Sequence, residues 1–179
     1  LDDAIATGAD IVSFSGDKLF GGPQAGILAG NMGAIEDMRK HPLYRALRLD
    51  KVSLAGLERT FELYLEGRGD EIPSRALLSK QPALLATEAD ALRDELQALP
   101  FFASGAHSLK TVPSTSQPGS GSAPGVELPT TCLCIQTDSI GSVDHLAERL
   151  RSSTPPVFVR ISDDALWIDV RTLLTGDKE

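Results

Sequence analysis

The chain has 179 residues, 41 % of them hydrophobic and 23 % charged, which is enough to bury a core and excludes wholesale disorder. Because 25 acidic side chains outnumber 17 basic ones, the net charge is −8, and the chain is a poor general clamp for phosphate backbones. No apolar run approaches the roughly 20 residues that span a bilayer, and two cysteines are too few for a disulfide framework or a four-cysteine metal site. We therefore expect a cytoplasmic protein with no membrane attachment and no bound metal.

The first elements predict an α/β layer. The chain starts without methionine, on residues 2–7 that are typical of the end of a helix, so we expect a fragment whose N-terminal part is missing. Residues 9–15 predict a short, mostly buried strand and residues 25–30 a second one, with a glycine-rich loop over 16–23 between them. A helix that feeds a buried strand is typical of α/β folds.

Helical spacing predicts the next elements. Asn31 is a candidate N-cap for a helix over about residues 32–40, and residues 43–49 predict a short helix or turn. A longer helix is predicted from about residue 50 to residue 67, capped by Asp50 or Ser53. We place a domain boundary after it, which divides the chain into residues 1–67 and 68–179.

The second part of the chain predicts a small α+β lobe. A Ser-, Gly- and Pro-rich stretch over residues 113–125 predicts a flexible loop. The other predicted elements are a helix at 81–98, a strand within 101–112, a β-rich run at 131–136, a helix at 142–151, and a hairpin of strands 157–161 and 166–170.

The most informative residues surround Lys18, just past the first predicted strand. An amine used for covalent catalysis must be held rigidly and partly desolvated, and the end of a strand gives such a placement. Ser13 and Ser15 could donate hydroxyl groups to a phosphate, and glycines such as Gly26 let the backbone approach a planar cofactor. The pattern is that expected of a lysine that binds pyridoxal phosphate, and the alternative is a solvated lysine on a surface loop.

Two segments resemble one family. Residues 15–26, Ser-Gly-Asp-Lys-Leu-Phe-Gly-Gly-Pro-Gln-Ala-Gly, resemble the cofactor-lysine segment of bacterial selenocysteine synthases, the L-seryl-tRNA(Sec) selenium transferases, with Phe20 where Leu is usual. Residues 41–51 resemble a second motif of that family, in which the arginines matching Arg45 and Arg48 are implicated in binding the phosphate-like group of the selenium donor. Helical i, i+3 spacing could aim both guanidinium groups at one anion, although pairing with nearby carboxylates is the alternative.

Two further matches are looser. Residues 119–129 resemble a Gly-Gly-Gly-Ser-Leu-Pro-Gly stretch of the family, and residues 156–173 resemble its last motif, with Val159 where Gly is usual. Arg160 and Arg171 lie in this last segment, where each could bind an anion or form a structural ion pair.

The resemblance implies a fold-type-I pyridoxal phosphate-dependent transferase, of which this chain would be the C-terminal part of the large α/β domain plus the small C-terminal α+β lobe. Lys18 would bind the cofactor and move the Cα proton, while the seryl hydroxyl of Ser-tRNA(Sec) is replaced by selenium from selenophosphate through a dehydroalanyl intermediate. The family also implies a homo-oligomer, and we expect this fragment alone to be inactive. A related pyridoxal phosphate lyase acting on a small amino acid or sugar acid, or a non-catalytic fragment, are the alternatives.

Overall fold

The computed structural model describes residues 4, 6–103, 107–119, 122–137, 143–174 and 176–177. Helices and two antiparallel sheets are present, which confirms the mixed α/β class. The chain forms two compact units, Leu1–Ser79 and Lys80–Glu179. The division between these units lies later in the chain than the domain boundary predicted after residue 67. The predicted domain boundary stays a prediction. Of the helix end predicted at residues 2–7, residues 2, 3 and 5 lie outside the described residues. Within those residues, no helix combines the length and the apolar character needed to cross a membrane.

A two-stranded antiparallel sheet opens the first unit. Strand β1, Ile11–Ser15, pairs with β2, Gly26–Gly30, and this register sets Ser15 opposite Gly26. The prediction that the first strand is mostly buried is wrong for this chain, because no residue of β1 is buried. The reason is that β2 is the only strand that pairs with β1 in the described part of the chain.

After β2, the described part of the first unit contains four helices and one 3-10 turn. They are α1 Met32–Lys40, α2 Pro42–Ala46, α3 Lys51–Leu65, the 3-10 turn Gly69–Glu71, and α4 Pro73–Ser79. Helix α1 confirms the predicted bounds, and the Asn31 side chain caps it by accepting a hydrogen bond from the Ala34 amide at 2.9 Å. Helix α2 ends earlier than predicted, because Leu47 leaves helical geometry and the chain then extends toward Asp50, the N-cap of α3.

The second unit is a four-stranded antiparallel sheet with helices packed against it. Its elements are α5 Pro82–Gln97, α6 Pro100–Ala103, β3 His107–Ser116, β4 Leu128–Thr137, α7 Val143–Arg151, β5 Arg160–Ser162, β6 Ala165–Asp169 and the 3-10 turn Val170–Thr172. The strand order is β3-β4-β6-β5. Strand β3 continues through Ser116, into the stretch predicted as a loop, because it pairs with β4 along its whole length.

The core of the second unit lies between this sheet and helices α5 and α7. Leu85, Leu133, Leu166 and Val170 are completely buried there. Burying each side chain of this kind contributes roughly 1.5–3 kcal/mol, so the second unit has a hydrophobic core of its own.

Candidate functional site

Lys18 lies in the turn that follows β1, and its residue is exposed. The turn is closed by the Gly21 amide, which donates to the Lys18 carbonyl at 3.0 Å. At the base of the loop the Gly16 amide donates to the Ala25 carbonyl at 2.8 Å, and the Gly22 amide donates to the Gly16 carbonyl at 2.7 Å. These hydrogen bonds fix the backbone of the lysine loop while the lysine side chain remains free to reach a ligand.

Two glycines of this loop are required by close packing, whereas Gly26 at the start of β2 has open space beside it. A Cβ on Gly16 would lie 2.7 Å from the Pro23 carbonyl oxygen. Gly21 has a φ of +78°, and a Cβ there would lie 2.5 Å from Ile72 Cγ2. A Cβ on Gly26 would meet no atom within 4 Å, so the chain leaves room beside this backbone for a ligand.

An open concavity of about 660 Å³ lies beside the lysine. Its lining includes Ser15, Asp17, Lys18, Gly26, Asp50 and Ser53. The structure therefore brings together three of the predicted site residues, Lys18, Ser15 and Gly26. Ser13 is exposed and is not part of this lining, although strand alternation puts it on the same face of β1 as Ser15.

The opposite side of the concavity is the start of α3. The Asp50 carboxylate caps this helix by accepting hydrogen bonds from the amides of Val52 at 2.8 Å and Ser53 at 3.0 Å. It also accepts one from the Ser53 hydroxyl at 2.6 Å. The Ser53 side chain is the main cause that lowers the pKa of Asp50, and the amide hydrogen bonds add to it. The sequence indicated Asp50 as a helix cap but did not indicate that it lines the cavity beside Lys18.

Arg45 and Arg48 are both exposed, but they are not on one helical face. Arg45 lies in α2, whereas Arg48 lies beyond the helix, which ends at Ala46. The premise of i, i+3 helical spacing is therefore wrong for this pair. Within the described residues, neither guanidinium has a carboxylate at ion-pair distance. The described residues therefore give no support to the alternative that these arginines pair with nearby carboxylates. Neither arginine lines the concavity, but Asp50, two residues after Arg48, does.

The two arginines of the second unit differ from each other. Arg171 is only 4 % exposed, and it donates to the carbonyls of Pro129 at 2.6 Å and Lys80 at 3.2 Å. Such hydrogen bonds join distant segments of the same unit, so Arg171 has a structural role. Arg160 is exposed, with its guanidinium 5.5 Å from the centre of the Trp167 ring, a cation-π contact.

The two cysteines lie on β4 and are both buried. Burial raises the pKa of each thiol, so both are poor nucleophiles. In the part of the chain that the structure describes, no three His, Cys, Asp or Glu side chains are grouped so as to hold a metal ion.

Comparison with known sequences indicates one family throughout. A profile of the L-seryl-tRNA selenium transferases matches residues 1–174. The chain is 42 % identical over 175 residues to the L-seryl-tRNA(Sec) selenium transferase of Aquifex aeolicus, an alignment that covers 98 % of this chain and 37 % of that relative. It is 44 % identical over 178 residues to the enzyme of the same name from Moorella thermoacetica, with the same coverage of 98 % and 37 %. The chain is 42 % identical over 177 residues to the relative from Serratia proteamaculans, and this alignment covers 97 % of this chain and 38 % of that relative. The chain thus spans less than two-fifths of the length of the curated relatives it matches.

Proposed function

This chain belongs to the L-seryl-tRNA selenium transferase family, and we propose that the full-length protein containing it converts L-seryl-tRNA(Sec) to selenocysteinyl-tRNA(Sec), with pyridoxal phosphate as cofactor and selenophosphate as selenium donor. The observation that carries the proposal is the placement of Lys18, whose backbone is fixed by the loop while its side chain borders an open concavity. That combination suits an amine that must hold a cofactor and then act on a substrate.

The residues around Lys18 fit pyridoxal phosphate. The space beside Gly26 admits a planar ring against the backbone, and the Ser15 hydroxyl borders the same concavity as a donor for the phosphate. Ser13, two residues earlier on the same strand face, is a second donor if the phosphate extends along β1. When bound, the cofactor supplies an electron sink that weakens bonds at the Cα of an amino acid.

Lys18 has two roles in this proposal. Its Nζ would hold the cofactor in the concavity. Once the amino group of the substrate has taken that place, the released Lys18 amine could take up or return the proton at the Cα of the seryl group. A fixed backbone serves both roles, because a proton is transferred efficiently only when donor and acceptor are aligned. The carboxylates of Asp17 and Asp50 border the same space.

Arg45 and Arg48 hold the selenium donor in this proposal. Guanidinium groups bind phosphate-like anions through paired hydrogen bonds. Both side chains are exposed, and within the described residues neither is engaged in an ion pair. Because α2 ends before Arg48, the two side chains approach the anion from a helix and from the extended segment that follows it.

The family also supports proposals about architecture and assembly. We assign the chain to the fold-type-I class, with α3, Lys51–Leu65, as the helix that joins the large domain to the small lobe. The function requires Ser-tRNA(Sec) as a partner and therefore a cytoplasmic location, and we expect the full-length protein to be a homo-oligomer.

The test is conversion of labelled Ser-tRNA(Sec) by the full-length protein supplied with selenophosphate. Replacing the amine in Lys18→Arg should lower kcat by at least about 100-fold, because it removes the group that moves the proton. Lys40→Arg is the matched control, since Lys40 lies at the end of α1 and 74 % of its side chain is exposed. Borohydride should attach the cofactor to Lys18. Labelling of another lysine, or conversion of a free amino acid but not of Ser-tRNA(Sec), would contradict the proposal.

A further inference from the structure

The lysine turn rests on an aromatic side chain of α3. The Tyr64 hydroxyl donates to the Phe20 carbonyl oxygen at 3.0 Å. The two rings are stacked, with their centres 4.9 Å apart and their planes 17° apart. The ring of Phe61, one turn earlier on α3, also packs against the Phe20 ring, with 4.8 Å between the ring centres. The ring centre of Phe14, in β1, lies 5.8 Å from that of Phe20. Phe20 is thus held both by its ring and by its carbonyl group.

Phe20 is part of the turn that begins at Lys18. The hydrogen bond from the Gly21 amide to the Lys18 carbonyl encloses Phe20 in that turn. On the other side of the turn, Gly21 has so little space that even a Cβ would lie 2.5 Å from Ile72 Cγ2. The turn is therefore confined from two directions, and a shift of the lysine backbone would have to break the contacts of Tyr64.

We propose that Tyr64 is a positioning residue for Lys18: through Phe20 it fixes the turn from which the amine reaches into the concavity. The inference rests on the proposed function of Lys18. Tyr64 itself is not part of the concavity lining, so it acts on the reaction only through the position of the lysine. A small displacement of a reacting amine is costly because proton transfer and covalent attachment need close alignment.

The test uses Tyr64→Phe in the full-length protein, which keeps the ring stack and removes the hydroxyl. We expect kcat to fall by about threefold to tenfold, which corresponds to the loss of one partly buried hydrogen bond. The KM for Ser-tRNA(Sec) should stay within about twofold of the wild-type value, because the lost contact orients the amine and does not bind substrate. The pH midpoint of the visible absorption of the bound cofactor should also shift, since the environment of the Lys18 nitrogen changes.

Tyr44→Phe is the matched control, because Tyr44 is 54 % exposed and belongs to α2, outside the lysine turn. This variant should keep the wild-type kcat and pH midpoint. A Tyr64→Phe protein with unchanged kcat and unchanged midpoint would overturn the positioning role. A loss of activity in Tyr64→Phe that is fully explained by a smaller folded fraction of the protein would also overturn the positioning role. If borohydride fails to attach the cofactor to Lys18 in the wild-type protein, the proposed function itself fails, which is a different outcome.

Discussion

The Ser53 hydroxyl donates a 2.6 Å hydrogen bond to the Asp50 carboxylate, and both residues line the concavity that Lys18 borders. The same carboxylate caps α3 by accepting hydrogen bonds from the backbone amides of Val52 and Ser53. Three donors on one carboxylate hold the start of the helix in a single geometry, two residues after Arg48. The capping group of a helix is therefore also a wall of the proposed active site.

This relationship predicts a pH-dependent contribution of Asp50 to stability. Its pKa is lowered from the ordinary 3.8 in the folded chain, so the stabilisation is complete above that value and is lost as the pH falls through the folded pKa. At pH 7, Asp50→Ala should lower the Tm by about 2–4 °C through loss of the cap. The difference in Tm between wild type and variant should narrow below about pH 4, measured by thermal unfolding at several pH values.

Asp37→Ala is the control for this series. Asp37 lies in α1 with 85 % of its side chain exposed, and its ion pair with Lys40 at 3.8 Å is a surface pair of small value. We expect Asp37→Ala to change the Tm little, both at pH 7 and below about pH 4. A difference between wild type and Asp50→Ala that stays constant down to pH 3 would contradict a role of the charged carboxylate in the cap.

The starts of α1 and α3 were predictable from the sequence because they carry local signals. Helices α4, Pro73–Ser79, and α6, Pro100–Ala103, were not predicted. Asn31 marks the start of α1 and Asp50 the start of α3. Each of these side chains accepts hydrogen bonds from backbone amides in the first turn of its helix. Strand β3 was predicted too short because its last residues are polar and small, and only pairing with β4 keeps them extended. Pairing partners distant in sequence leave no local signal.

The site was predictable only in part. The motif around Lys18 indicated the lysine, Ser15 and Gly26, since these residues are close in sequence. The contacts of Tyr64 with Phe20 and the position of Asp50 beside Lys18 were not predicted, because they arise when α3 packs against the lysine loop. Such contacts between distant segments depend on tertiary packing, which the spacing of residues within one segment does not reveal.

Gly21 in the lysine loop and Gly26 at the start of β2 should respond differently to substitution by alanine. Gly21→Ala places a Cβ 2.5 Å from Ile72 Cγ2 at a φ of +78°, so we expect a loss of about 1–3 kcal/mol in stability. Gly26→Ala meets no atom within 4 Å and should leave stability within about 0.5 kcal/mol. In the full-length protein, however, Gly26→Ala should weaken pyridoxal phosphate binding, because the new methyl group takes up the space beside the backbone. Urea unfolding and cofactor titration measure these effects, and equal stability losses in both variants would contradict the packing argument.

Arg171 should matter for the stability of the second unit. In Arg171→Met the carbonyls of Pro129 and Lys80 lose their buried donor, which should cost about 2–4 kcal/mol. Unfolding of the 179-residue chain can be followed through its single tryptophan, Trp167, which lies in the same unit. The control Arg151→Met changes an exposed arginine at the end of α7 and should stay within about 0.5 kcal/mol of wild type. Equal stability of both variants would show that the Arg171 hydrogen bonds are not structural.

Arg45 and Arg48 should determine the affinity for the selenium donor. A charge-assisted hydrogen bond to an anion contributes about 1.5–3 kcal/mol, so Arg45→Ala or Arg48→Ala should raise the KM for selenophosphate by about 10- to 100-fold. The KM for Ser-tRNA(Sec) should change much less, because the proposed contact is with the donor. Arg39→Ala removes an exposed arginine from the last turn of α1 and serves as the control for a general loss of positive charge.

The two substitutions also test whether the side chains share one anion. If both guanidinium groups bind the same phosphate-like group, the effects of the two single variants on KM should not add independently in the double variant. Steady-state kinetics of the full-length protein with varied selenophosphate measures this coupling. A KM for selenophosphate that is unchanged in both single variants would remove the arginines from the donor site. An increase matched by Arg39→Ala would instead assign the effect to net charge.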